Sequence, residues 1–197
     1  MRQGLNGYYT CGTTSMDVIS LIRRLHQHRI WATRNLLEAA AQLSAEQLHA
    51  EFEIGQGSVW KSLMHMHAAE YVWLETLMGN ESALLPGDLP GMLPGNQRGE
   101  GGIKDLGDLR EKWAVLDNRW AQYLADLAPA ALDETVYRTR RPAGQEQRFS
   151  CRRSDGLLHV CTHAHYTSAQ VINMLRHCGI AKLPQVMLIA MAMMEAG

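Results

Sequence analysis

Three histidines, His159, His163 and His165, stand within seven residues in the segment LLHVCTHAHYTSAQVINMLR (157–176), which reads as one helix. A fourth, His65, lies far upstream in LMHMHAAEYVW, also helical in pattern. Imidazole is the commonest metal ligand and the commonest general base near neutral pH. Two helices that each offer imidazoles make one site only if they pack together. The spacing therefore predicts helices around a polar pocket.

At 100° per residue, Leu157, Val160, Ala164, Val171 and Leu175 form the apolar stripe of the downstream helix, with Thr167 inside its edge. His159 and His163 climb one strip beside it, and His165 points to the other side. In the upstream helix the stripe is Val59, Leu63, Met66, Trp73 and Leu77, with His65 at its edge and His67 facing away. Glu70 falls in the middle of that stripe. A buried carboxylate is costly unless something ionises or hydrogen-bonds beside it, so Glu70 demands a partner. His28 falls on the line of Leu21, Leu25 and Ala32 in an earlier helix. The inward polar set is thus His28, His65, Glu70, His159, His163 and Thr167. Taken singly, each histidine also reads as a satisfied group at the core edge. Metal binding needs about three convergent ligands, with imidazole nitrogens at roughly 2.0–2.1 Å from zinc.

Four long helices are expected to position these residues. The first spans Asp17 to about Leu43, opened by Ser15 or Asp17. Ser44 and Gln47 form a capping box for a further turn. Ser58 caps the second long helix, which Gly79–Asn80 ends near Met78. Residues 80–103 hold Pro86, Pro90, Pro94 and many glycines, a long surface connection. The third long helix runs from about Asp105 to Leu127, with Leu109, Trp113, Leu116, Trp120, Tyr123, Leu124 and Leu127 on one side. TVYRTRR and EQRFSC alternate as short strands around Pro142, Ala143 and Gly144, a small β-hairpin. The fourth long helix runs from Ser154 or Asp155 to Cys178, and an apolar tail, 186–194, forms a short helix. The fold class is all-α, a four-helix bundle with a long crossover loop and a hairpin before the last long helix. Residues 1–16 read as a loose arm and 17–197 as one domain.

The 197 residues are 46% hydrophobic and 20% charged, with formal net charge -1. That balance suits a globular protein and offers no general attraction to nucleic acid or acidic lipid. Cys11, Cys151, Cys161 and Cys178 form no C-x-x-C pair, which argues against a zinc ribbon or a thioredoxin motif. Without a secretory pattern they read as reduced thiols of a cytoplasmic protein. No run of eighteen apolar residues suggests a membrane span. The hairpin arginines (Arg138, Arg140, Arg141, Arg148, Arg152, Arg153) read either as a solvated rim or as an anion site.

HQHRIWATRNLLEAAAQLSAEQL (26–48), GSVWKSLMHMHAAEYVWLETLMG (57–79) and LLHVCTHAHYTSAQVINMLRHCG (157–179) together resemble the DinB-like (DinB/YfiT-like metalloenzyme) family, over roughly Asp17 to Leu188. The carriers are the spacing of Gly57, Ser58, His65 and Glu70, and that of His163 and Gln170 before Leu175–Arg176. The resemblance implies a three-histidine site for a divalent transition metal, often nickel or zinc. His65 would be its first ligand and His163 its second. The third family position is Thr167 here. His159 from the preceding turn, a Glu70 oxygen or water are the open substitutes, as is a pocket without metal. The resemblance also implies an enzyme acting on a small molecule, by thiol transfer or hydrolysis, in which Glu70 or His159 orients a ligand or moves a proton. The alternative is a metal-free binding or dimerisation module. The apolar tail points to a homodimer.

Overall fold

The computed structural model of the chain describes residues 17–92, 94–140 (all but the Arg140 side chain) and 145–197. The expected arm, with Ser15, and the Pro142–Gly144 turn lie outside these residues.

Side-chain caps set the helix starts. The Asp17 carboxylate accepts from the Ser20 amide at 2.8 Å and opens α1 (Val18–Ala40). Ser44 and Gln47 complete a reciprocal capping box on the short α2 (Ala45–His49), which satisfies two amides that no helical carbonyl can reach. Ser58 Oγ accepts from Lys61 N and opens α3 (Val59–Leu77). Asp105 does the same for α4 (Leu106–Ala125). A 3-10 turn, Pro129–Asp133, leads into an antiparallel pair, β1 (Thr135–Arg140) and β2 (Gln147–Arg152), with Val136 opposite Cys151 and Arg138 opposite Phe149. α5 (Arg153–His177) follows, and α6 (Leu188–Ala196) ends the chain.

The described chain is therefore mostly helical, with one small hairpin. α5 packs along both α1 and α3, α4 touches α1 and α3, and β1 lies against α3. Leu36, Leu63, Met66, Leu74, Leu109, Leu116, Trp120, Leu157, Val171 and Leu175 meet in one shared core. α3 and α5 run antiparallel: Gly156 lies against Trp73 and Leu77, His65 meets His163, and Gln170 covers Gly55. No helix among the described residues is long and apolar enough to cross a membrane.

The stripes expected for α3, α4 and α5 are the buried ones, with Tyr123 of α4 half-buried. That of α1 is buried in part: of its apolar residues at helical spacing, Ile22, Ala32, Leu36 and Ala39 are in the core. Val18 and Leu21 are exposed, and the buried line is Ile22, His26, Arg29, Thr33 and Leu36. His28 is only half-buried, and its Nε2 contacts the Val186 carbonyl at 2.7 Å. It leaves the inward set because α1 turns a line carrying two polar side chains, His26 and Arg29, toward the core, and apolar periodicity passes over both. His67 is the second correction. It is 2% exposed and edge-on to Trp113, ring centroids 5.3 Å apart. The face of α3 that a wheel assigns to solvent is covered by α4 and by the 78–105 connection.

Candidate functional site

Ser58 fixes the start of α3, and two turns later the helix presents His65 at its edge. The antiparallel α5 brings His163 opposite. The two Nε2 atoms stand 3.2 Å apart and the ring centroids 5.1 Å apart. The other nitrogen of His65, Nδ1, lies 3.3 Å from the Pro94 carbonyl. His159, one turn before His163, has its ring 5.6 Å from that of His163 and 5.1 Å from Trp73. His163 is thus the middle of a row of three imidazoles.

Burial, and next the neighbouring charges of His65 and His159, pushes His163 down to about 4. Burial also lowers His65, against the opposing pull of the Pro94 carbonyl. Both rings are neutral at pH 7, the form that ligates metals. Thr167, one turn beyond His163, is buried. Among the described residues no three His, Cys, Asp or Glu side chains converge in a metal-binding arrangement.

Glu70 is elsewhere. Five residues after His65 on the same helix, it projects about 140° away. Its carboxylate, 1% exposed, accepts from the Arg29 guanidinium and, at 3.0 Å, from Trp113 Nε1. Arg29 is 2% exposed; its Nη2 lies 3.7 Å from Asp117 and its guanidinium covers the Trp120 face. Arg34 approaches the other Asp117 oxygen at 3.9 Å. His26 is pushed down to about 3 by burial and then by Arg29. Burial raises the Cys161 thiol to about 11, despite Arg29 beside it. The carboxylate that sequence reasoning found in the α3 stripe thus has its partner, Arg29, on the buried face of α1. Charge demand at Glu70 was the one signal that pointed to a cation there. His28 also stands apart, with its ring 6.2 Å from His165.

A sequence model of the DinB superfamily matches residues 30–166. The chain belongs to the DinB superfamily. The match is narrower than the resemblance suggested. It includes His65, Glu70, His159 and His163 and stops one residue before Thr167. No curated protein matches the chain.

In this DinB-superfamily chain the hairpin arginines are largely taken up by internal partners. Arg138 is buried over the Trp73 ring, 5.4 Å from its centroid. Arg148 grips Glu81 at 2.7 and 2.9 Å and covers Tyr137. Arg153 donates to Leu77 O, Tyr123 Oη and Glu134, and Arg152 approaches Asp133 at 3.9 Å. These contacts tie the hairpin to the ends of α3, α4 and α5. The Arg140 side chain and Arg141 lie outside the described residues.

Proposed function

We propose that this protein is a divalent-metal-dependent enzyme of DinB type, its four long helices forming a bundle, and that it acts on a small molecule by thiol transfer or hydrolysis. The observation that carries the reading is the 3.2 Å separation of His65 Nε2 and His163 Nε2. Two imidazoles bound tetrahedrally at about 2.0–2.1 Å have nitrogens about 3.3–3.4 Å apart. The two donors therefore already stand at close to one edge of such a tetrahedron. His65 and His163 would hold nickel or zinc, with His159 the nearest imidazole for a third position now that Thr167 occupies the family's usual one. A bound divalent metal lowers the pKa of a thiol or water and so supplies a nucleophile at neutral pH. Trp73 fixes the His159 ring near the pair, where it orients a ligand or moves a proton. Glu70 acts on the site through packing, since its charge is absorbed by Arg29.

A second reading is favoured by the same pair. At 3.2 Å one imidazole N–H can donate directly to the other, giving a closed, metal-free contact in a binding module. Metal content of tag-free protein, measured by elemental analysis before and after incubation with nickel or zinc, separates the two. Near-stoichiometric metal that is lost in His65→Ala and in His163→Ala supports the enzyme; no metal in the unaltered protein, even after incubation, overturns it. We also propose a homodimer through α6, whose Ile189, Met193 and Met194 are exposed, as are Val18 and Leu21 of α1. Sedimentation velocity tests it, and a monomer at high micromolar concentration rejects it.

A further inference from the structure

The connection between α3 and α4 is tightly built. The Asp88 carboxylate, 7% exposed, accepts from Gly95 N at 2.8 Å, from Gln97 N at 2.9 Å and from Gln97 Nε2 at 2.7 Å. Gln97 in turn reaches Pro86 O through Nε2 and receives Ile103 N on Oε1 at 2.7 Å. Gly99 N closes the loop onto Gly87 O at 2.8 Å. Leu85 and Ile103 bury its two ends. Gln97 itself holds a φ of 48°, a left-handed conformation that a non-glycine residue keeps only when its surroundings over-determine it.

This clamp presses the loop onto α3 at one point. Gly95 has φ +86°, and a Cβ there would lie 2.8 Å from Met64 O and 3.0 Å from His65 N. Only glycine allows that approach. The approach places the preceding carbonyl, Pro94 O, 3.3 Å from His65 Nδ1. A carbonyl oxygen only accepts, so a hydrogen bond at this contact puts the hydrogen of neutral His65 on Nδ1. Nε2 is left with its lone pair, aimed at His163.

We infer that the 85–103 loop is a positioning device for the histidine pair: Asp88 and Gly95 hold the Pro94 carbonyl against His65, which fixes both its tautomer and its ring orientation. Outer partners of this kind set which nitrogen of a ligating histidine is free, and losing them typically costs 10- to 100-fold in metal affinity. The affinity consequence rests on the metal reading above; the tautomer consequence does not.

The test compares the unaltered protein with Gly95→Ala and Asp88→Asn, all metal-free first. Long-range ¹H–¹⁵N correlation of the imidazoles, assigned with His65→Ala, reports the tautomer. The expected result is Nδ1–H for His65 in the unaltered protein, moving to Nε2–H or a mixture in both variants, with helical circular dichroism retained. Asp88→Asn preserves side-chain shape while losing acceptors, so it carries the test if Gly95→Ala does not fold. Zinc or nickel titration against a competing chelator should then show affinity 10- to 100-fold weaker in the variants. An Nε2–H tautomer in the unaltered protein, or variants whose tautomer is unchanged, overturns the inference. If metal binds and its affinity is unchanged in both variants, the inference fails and the metal site stands. If no metal binds but the tautomer shifts as expected, the metal reading fails and the positioning role stands.

Discussion

Acidification should destabilise this protein through His67, and the size of the loss follows from burial. His67 is 2% exposed, edge-on to Trp113, and surrounded by Lys112, Asp88 and Asp108. Burial, the largest effect, lowers it from 6.5 to about 4. The unfolded chain therefore takes up a proton near pH 6.5 that the folded chain refuses until about pH 4. Folding stability from this group is intact above pH 6.5 and falls as pH drops through that window. At pH 5 the linkage relation gives a loss of about 2 kcal/mol from His67 alone. His26, lowered to about 3 by burial, adds a loss of similar size. His67→Phe keeps an aromatic edge against Trp113 and removes the titration. Urea unfolding followed by tryptophan fluorescence at pH 7.5, 6.5, 5.5 and 5.0 should show the unaltered protein losing about 2 kcal/mol more than the variant across this range. If the two pH profiles run parallel within about 0.5 kcal/mol, His67 is not held neutral in the fold and the burial argument is wrong.

Glu70→Gln should cost about 3–5 kcal/mol in urea unfolding, because it leaves the buried Arg29 guanidinium with Asp117 at 3.7 Å as its remaining counter-charge. Adding Arg29→Met should restore much of that loss; a single variant within about 1 kcal/mol of the unaltered protein would contradict the pairing. Ser58→Ala removes the acceptor for Lys61 N and should lower stability by about 1 kcal/mol, read from the same unfolding curves.

How much of this could be read in advance varies by element. α3, α4 and α5 carry apolar stripes at helical spacing, and these are the buried faces. The starts of α1 to α4 were legible because Asp17, the Ser44–Gln47 pair, Ser58 and Asp105 satisfy helix-end amides by short-range geometry, whereas α5 starts without a side-chain cap. The hairpin was legible from strand alternation around turn residues. α1 was legible in part: Ile22, Ala32, Leu36 and Ala39 are buried as their spacing implies, but the core-facing His26 and Arg29 are passed over by a wheel that counts only apolar side chains. His28 was misplaced because its line, Leu21, Leu25 and Ala32, is fully buried only at Ala32. His67 was misread because the wheel has no knowledge of what a long connection covers. The 3-10 turn at Pro129–Asp133 left no periodic signal at five residues.

Local order along the chain determined the helices, their caps, the hairpin and the two family spacings, Ser58–His65–Glu70 and His163–Gln170, since each depends on residues within a few turns of one another. Which polar groups meet was decided only by packing. The antiparallel seating of α5 on α3 sets His163 against His65, ninety-eight residues apart. The same packing sends Glu70 to Arg29 rather than to the histidines, and the clamp at Asp88 carries the Pro94 carbonyl to His65. Spacing within one helix specifies an angle about its axis; the distance between two side chains is specified only when both axes are held in place by the core.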